Sequence, residues 1–133
     1  MKRMQKRIAR FACALVALAM LIWPCAPVRA EYFGTLRQDQ DWVINADNSS
    51  SNGPSTISVS FLNKKNNISD DFEFTLPGGG RAQFPFEKVG RDVKRIIIYG
   101  DPPKGGTVII EVAQNNSNVE TCAGDCRLVL NVE

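Results

Sequence analysis

The sequence predicts an all-β protein: a single antiparallel β-sandwich of about seven strands, immunoglobulin-like, with a jelly roll or small barrel as the alternative architecture. Three observations carry this. Apolar and polar residues alternate with a period of two in several short runs, those runs are separated by segments rich in Asn, Ser, Gly and Pro, and no convincing helical pattern occurs after residue 30.

The chain opens on a different kind of segment. Lys2, Arg3, Lys6, Arg7 and Arg10 precede an uncharged apolar stretch from Phe11 to Trp23, which Pro24 ends, and Val28-Arg29-Ala30 supplies small residues at the −3 and −1 places. This is the pattern of a cleavable secretory signal peptide over residues 1–30, cut before Glu31. The stretch is short of the ~20 residues that span a bilayer, so no stable membrane insertion is expected after cleavage. Lipid attachment at Cys25 is disfavoured by Pro24 before it and Ile22 in place of leucine. The compact basic leader favours a bacterial envelope, with the mature domain in the periplasm or outside the cell.

From residue 31 onward the strands follow in order. Trp42 and Ile44 define the first, around Asp41–Ala46, and Glu31–Gln40 is left as an extra strand or a loose arm. Ile57, Val59 and Phe61 alternate with Ser58 and Ser60, giving one apolar and one hydroxyl-lined face. Phe72, Phe74 and Leu76 alternate with Asp71, Glu73 and Thr75. Ala82, Phe84 and Phe86 share a face, and Pro85, which has no N–H for a ladder, places that strand at an edge. Val93–Tyr99 contains Ile96-Ile97-Ile98, a β-branched block suited to a strand covered on both faces. Val108, Ile110 and Val112, then Leu128, Leu130 and Val132, complete the set. Between strands, Asn48–Pro54, Asn63–Asp70, Pro77-Gly78-Gly79-Gly80, Gly100–Gly106 and Gln114–Asp125 read as connections.

Removing the leader changes the charge. It holds six of the 16 Lys+Arg and none of the 14 Asp+Glu, which leaves the 103-residue domain 31–133 at a net charge of −4. A nucleic-acid-binding composition is thereby lost. All three Met and two of the four Cys leave as well, and the chain has no His. Without His there is no Ser–His or Cys–His nucleophile, so the domain is expected not to be an enzyme and to need no cofactor.

The remaining pair, Cys122 and Cys126, is expected to form a disulfide in an oxidising compartment. A metal carrier or redox protein using Cys122/Cys126 is the alternative. It lacks His and Met to complete a copper or zinc shell, and it lacks the two-residue spacing of a thioredoxin-type dithiol. The acidic group Asp70, Asp71 and Glu73 borders a polar loop and reads as solvated surface, and Asp47–Gly53 departs from a calcium loop in its glycine and terminal carboxylate positions. Pro77–Gly80 precedes a strand, which excludes a P-loop. Three sequons begin at Asn48, Asn67 and Asn115.

The function these residues point to is a non-catalytic exported sandwich of the cell envelope that binds a protein partner or a surface ligand. A subunit of a surface or secretion assembly is the narrower form, since an open sandwich can accept a strand at an edge. Lys88, Arg91, Lys94 and Arg95, a local basic group interrupted by Glu87 and Asp92, are the candidate partner-binding residues together with Arg81.

Overall fold

The computed structural model describes residues 30–133, and the leader lies outside the described residues. Nine strands form: β1 (Ala30–Leu36), β2 (Trp42–Asp47), β3 (Ser55–Asn63), β4 (Ile68–Leu76), β5 (Arg81–Phe86), β6 (Val93–Asp101), β7 (Ile109–Gln114), β8 (Ser117–Ala123) and β9 (Cys126–Val132). They make a five-stranded sheet, β1-β9-β6-β3-β4, packed on a four-stranded sheet, β5-β2-β7-β8.

The order explains the architecture. β3, β6 and β9 lie side by side in one sheet and β2 lies beside β5 in the other, which is the C-F-G and B-E arrangement of an immunoglobulin-like sandwich. The hairpin β7–β8 takes the place beside β2 that a first strand holds in that fold. All the expected strands are present, and two more join them. Residues 30–36 pair with β9, in parallel, while every other pairing is antiparallel. β8 occupies what reads in sequence as a long connection. Its hairpin turns on Asn115 and Asn116, both with φ near +55° (53° and 59°), the backbone that a two-residue type I′ turn requires.

The core lies between the sheets. Ile57, Val59, Ile96, Ile98, Leu128 and Leu130 face Ile44, Val108, Ile110 and Val112, all essentially inaccessible to water. The alternation is the cause: in β6, Ile96 and Ile98 point inward while Arg95, Ile97 and Tyr99 take the other face, where Ile97 and Tyr99 cluster with Leu62. Both faces of β6 are thus covered, as its β-branched block requires.

Two buried polar side chains fix the loops. Asn48 is fully buried; its amide N–H groups donate to the carbonyls of Gly53, Leu76 and Pro77, and its Oδ1 accepts from the Ser55 hydroxyl. Its backbone N–H donates to Gly80 O, and its carbonyl accepts from Ser51 and Gly79. Asn48 therefore joins the end of β2 to the start of β3 and to the β4–β5 turn. That turn fits so closely that a Cβ on Gly78 would stand 2.8 Å from backbone atoms of residues 51–53. Of the three sequon asparagines, Asn67 and Asn115 are exposed and Asn48 is not, so Asn48 cannot carry a glycan in the folded protein. At the other end of β2, Gln114 donates through Nε2 to the carbonyls of Arg37 and Gln40 and accepts at Oε1 from the Arg37 N–H.

Cys122 and Cys126 are disulfide-bonded and buried. β8 belongs to one sheet and β9 to the other, so the bond clips the two sheets together, with Gly124 turning between them at φ +76° and donating its N–H to Val108 O. Closing so short a loop stabilises by about 2 kcal/mol in the loop-entropy model. Replacing both cysteines by alanine should therefore lower the melting temperature by roughly 8–16 °C for a domain of this size. Calorimetry checks this, and an unchanged melting temperature would show that the clip contributes nothing.

Candidate functional site

The two lateral seams of the sandwich are built differently. On one side β1 and β8 close tightly. A Cβ on Gly34 would meet Leu130 Cδ2 at 3.1 Å and Val119 Cγ1 and Glu120 Cβ at 3.2 and 3.3 Å, so the glycine is what lets the strands approach. The disulfide lies on this side too.

On the other side are the free edges β4 and β5, and rings fill the space between them. Trp42 stacks on Phe86 at 4.3 Å between centroids, and Phe74 stacks on Phe84 at 4.3 Å. Phe72 meets Phe61 edge-on at 5.6 Å and Phe86 at 6.2 Å. Such offset and edge-on pairs contribute roughly 0.5–1.5 kcal/mol each beyond their burial. The rings are incompletely covered: Phe72 is 37% exposed, and Phe61, Phe74, Phe84 and Phe86 are half-buried. A groove of about 730 Å³ runs along this seam, floored by those rings and bounded by Ser69, Asp70 and the segment Glu87–Val93.

The ends of the groove are held. At one end the β4–β5 turn is pinned by Asn48. At the other, residues 87–92 cross from the second sheet to the first. Val89 is buried in the core, the Lys88 N–H donates to Asp41 Oδ1 at 2.9 Å, and Gly90 O accepts from Gln38 Nε2. Trp42 is 3% exposed, and its indole N–H has no hydrogen-bond partner among the described residues.

The two edges offer different backbones. Pro85 is the penultimate residue of β5 and removes a donor from it, and it sits at a sheet edge as its chemistry demands. β4 is nine residues long, has no proline and pairs with β3 on one side only. Its side chains divide by face: Phe72, Phe74 and Leu76 turn toward the seam, Asp71, Glu73 and Thr75 away from it.

Of the residues singled out from sequence as partner-binding, Lys88 lines the groove. Arg91 is exposed on the connection beside it and Lys94 is half-buried at the start of β6. Arg95 lies on the opposite face, its Nη1 donating to Asn66 Oδ1 at 3.3 Å. Arg81 stands at the far end of β5 from Lys88, about 20 Å along the strand, where it faces Asp47 at 3.4 Å. The five do not form one surface. Hydrogen bonds from Ser49, with the Arg81 charge adding to them, hold the Asp47 carboxyl below its ordinary range. Asp47 is thus engaged within its own loop. Among the described residues no group of three or more His, Cys, Asp or Glu is placed to hold a metal ion.

A larger concavity of about 1220 Å³ lies on the outer face of the second sheet. It is lined by polar groups such as Gln83 and the Asn45–Glu111 hydrogen-bonded pair. Trp42, Pro85 and Phe86 reach its margin, but the Phe61, Phe72, Phe74 and Phe84 rings and the β4 edge do not line it. Alternation in the sequence sets Phe72 and Phe74 on one face of their strand and Phe84 and Phe86 on one face of theirs; that these faces meet at a seam depends on which strands become edges.

No protein-family model and no curated protein matches the chain. Among solved structures, the E. coli chaperone DraB matches at 9% identity over 78% of this chain and 51% of that one, with a TM-score of 0.31. The periplasmic chaperone SfaE matches at 9% identity over 79% of this chain and 56% of that one, with a TM-score of 0.33. The chain spans about half the length of each.

Proposed function

We propose that this is an exported binding protein of the cell envelope that holds an extended segment of a partner protein along the β4–β5 seam. The observation that carries the reading is the contrast between the seams: one is closed by a glycine contact and a disulfide, the other is left to partly exposed rings between two unpaired edges. Groups that expose both apolar surface and free ladder positions are complementary to a strand, which supplies main-chain partners to the edge and side chains to the groove. The basic, apolar and small-residue order of residues 1–30 supports export. The missing histidines, and two sulfurs that are bonded and buried, support binding over catalysis or redox exchange.

The seam accommodates a short segment. Six residues of β5 at about 3.3 Å each define a length near 20 Å. A blocked eight-residue peptide alternating valine with threonine should therefore bind to the protein purified after export. Hydrogen exchange should show new protection at β4 amides, and Phe72→Ser should weaken binding about tenfold, the ~1.4 kcal/mol lost with one partly exposed ring. The same peptide N-methylated at alternate amides should not bind. Equal binding of the methylated peptide, or protection elsewhere than β4, would reject the seam as the site.

A further inference from the structure

The charges around the seam define the partner further, granted that the seam is the binding site. Asp70, Glu87 and Asp92 line the groove against a single cation, Lys88, and Asp71 and Glu73 stand on the outer face of β4. None of these five carboxylates has an ion-pair partner among the described residues. Among the described residues the Asp71 carboxylate accepts only the Ser60 hydroxyl, at 3.1 Å.

We infer that the bound segment pairs with the β4 edge and alternates apolar with cationic residues, the apolar ones over Phe72 and Phe74 and the cationic ones beside Asp71 and Glu73. The strand repeat fixes this. A residue paired with Phe72 or Phe74 shares their face and enters the groove, and its neighbours fall on the face of Asp71 and Glu73, where opposite charge across strands stabilises and like charge destabilises. β4 is the receiving edge because it offers nine residues with no proline, whereas β5 has six and loses a donor at Pro85.

The same geometry disfavours a second copy of this chain at that edge. An antiparallel β4–β4 pair centred on Phe72 would set Asp71 of each copy opposite Glu73 of the other. Acidic edge residues thus oppose self-pairing while selecting a cationic strand, and the net charge of −4 from residue 31 onward steers in the same sense.

Three blocked eight-residue peptides test this, all carrying valine and phenylalanine at alternate positions and differing in the intervening residue: lysine, threonine or glutamate. Titration calorimetry should give at least tenfold tighter binding of the lysine peptide than the threonine peptide, no measurable binding of the glutamate peptide, and a lysine advantage that shrinks as salt rises. Asp71→Asn/Glu73→Gln, both at exposed positions, should bring the lysine peptide to the threonine level and leave the threonine peptide unchanged. Equal affinities for lysine and threonine peptides would overturn the charge assignment and leave the seam standing. Binding of none of the three would overturn the seam as well. A concentration-dependent dimer that competes with peptide would show that a second copy is the occupant.

Discussion

Asn48→Leu should cost about 3–5 kcal/mol, a large share of the stability of a domain this size. Leucine has the same number of side-chain heavy atoms as asparagine but is bulkier, so no cavity opens, and the loss is one of hydrogen bonds with some overpacking added. The Leu76 carbonyl is buried and accepts from Asn48, and the Ser55 hydroxyl donates to it; both would be left without that partner. An unsatisfied buried group costs about 1–3 kcal/mol. The Pro77 carbonyl suffers less, because it still accepts from Gly80. The expected fall in melting temperature is roughly 15–30 °C. Urea unfolding should show a lower midpoint with the slope unchanged; a loss under about 1 kcal/mol would mean that the three loops are held by other contacts. Since Asn48 pins the turn that bridges the seam at one end, peptide affinity should fall in parallel in any variant that remains folded.

Trp42→Ala should cost a similar 3–5 kcal/mol, and Trp42→Phe far less. The indole is buried and stacked on Phe86, so truncation leaves a cavity beneath the groove. Phenylalanine keeps a stacking ring and removes an N–H that has no hydrogen-bond partner among the described residues, so little polar compensation is lost with it. Chemical denaturation of the two variants checks the ranking. If Trp42→Phe proved as damaging as Trp42→Ala, the indole N–H would be making an interaction that the fold requires. In a chain beginning at Glu31, Trp42 is the single tryptophan, so its emission reports on the packing of Phe61 and Phe86, the groove rings it touches.

The strands that were legible from sequence are those whose two faces differ. β2 and β7 bury every second residue, and β3, β4 and β9 each keep one wholly apolar face, Ile57/Val59/Phe61, Phe72/Phe74/Leu76 and Leu128/Leu130/Val132. β1 hides this pattern because its inward positions include Gly34, which has no side chain, while Phe33 on the other face is 62% exposed. β8 hides it because a bulge between Val112 and Ala113 shifts its register, although Asn115-Asn116 is a recognisable hairpin turn. Pro85 did locate an edge, since a missing donor is a property of one residue.

The seam itself was not legible. Which two strands become facing edges is decided by strand order, a long-range property, and alternating phenylalanines look the same in a core and in an open groove. The basic residues mislead for a related reason. Arg81 is near Lys88 in sequence, but an intervening strand separates them, and Arg81 answers instead to Asp47, 34 positions away.

The parallel pairing of β1 with β9 sets a condition on how the molecule can be made. Ala30 lies against Cys126 and Leu36 against Val132, so the opening strand has no ladder until the closing one arrives. A chain delivered from its N-terminus must keep β1 waiting through the whole of the intervening sequence, and contacts between such distant segments slow folding. Completion of the sandwich therefore reports that the entire domain has been delivered, and a product cut short before β9 leaves both β1 and the centre of its sheet open.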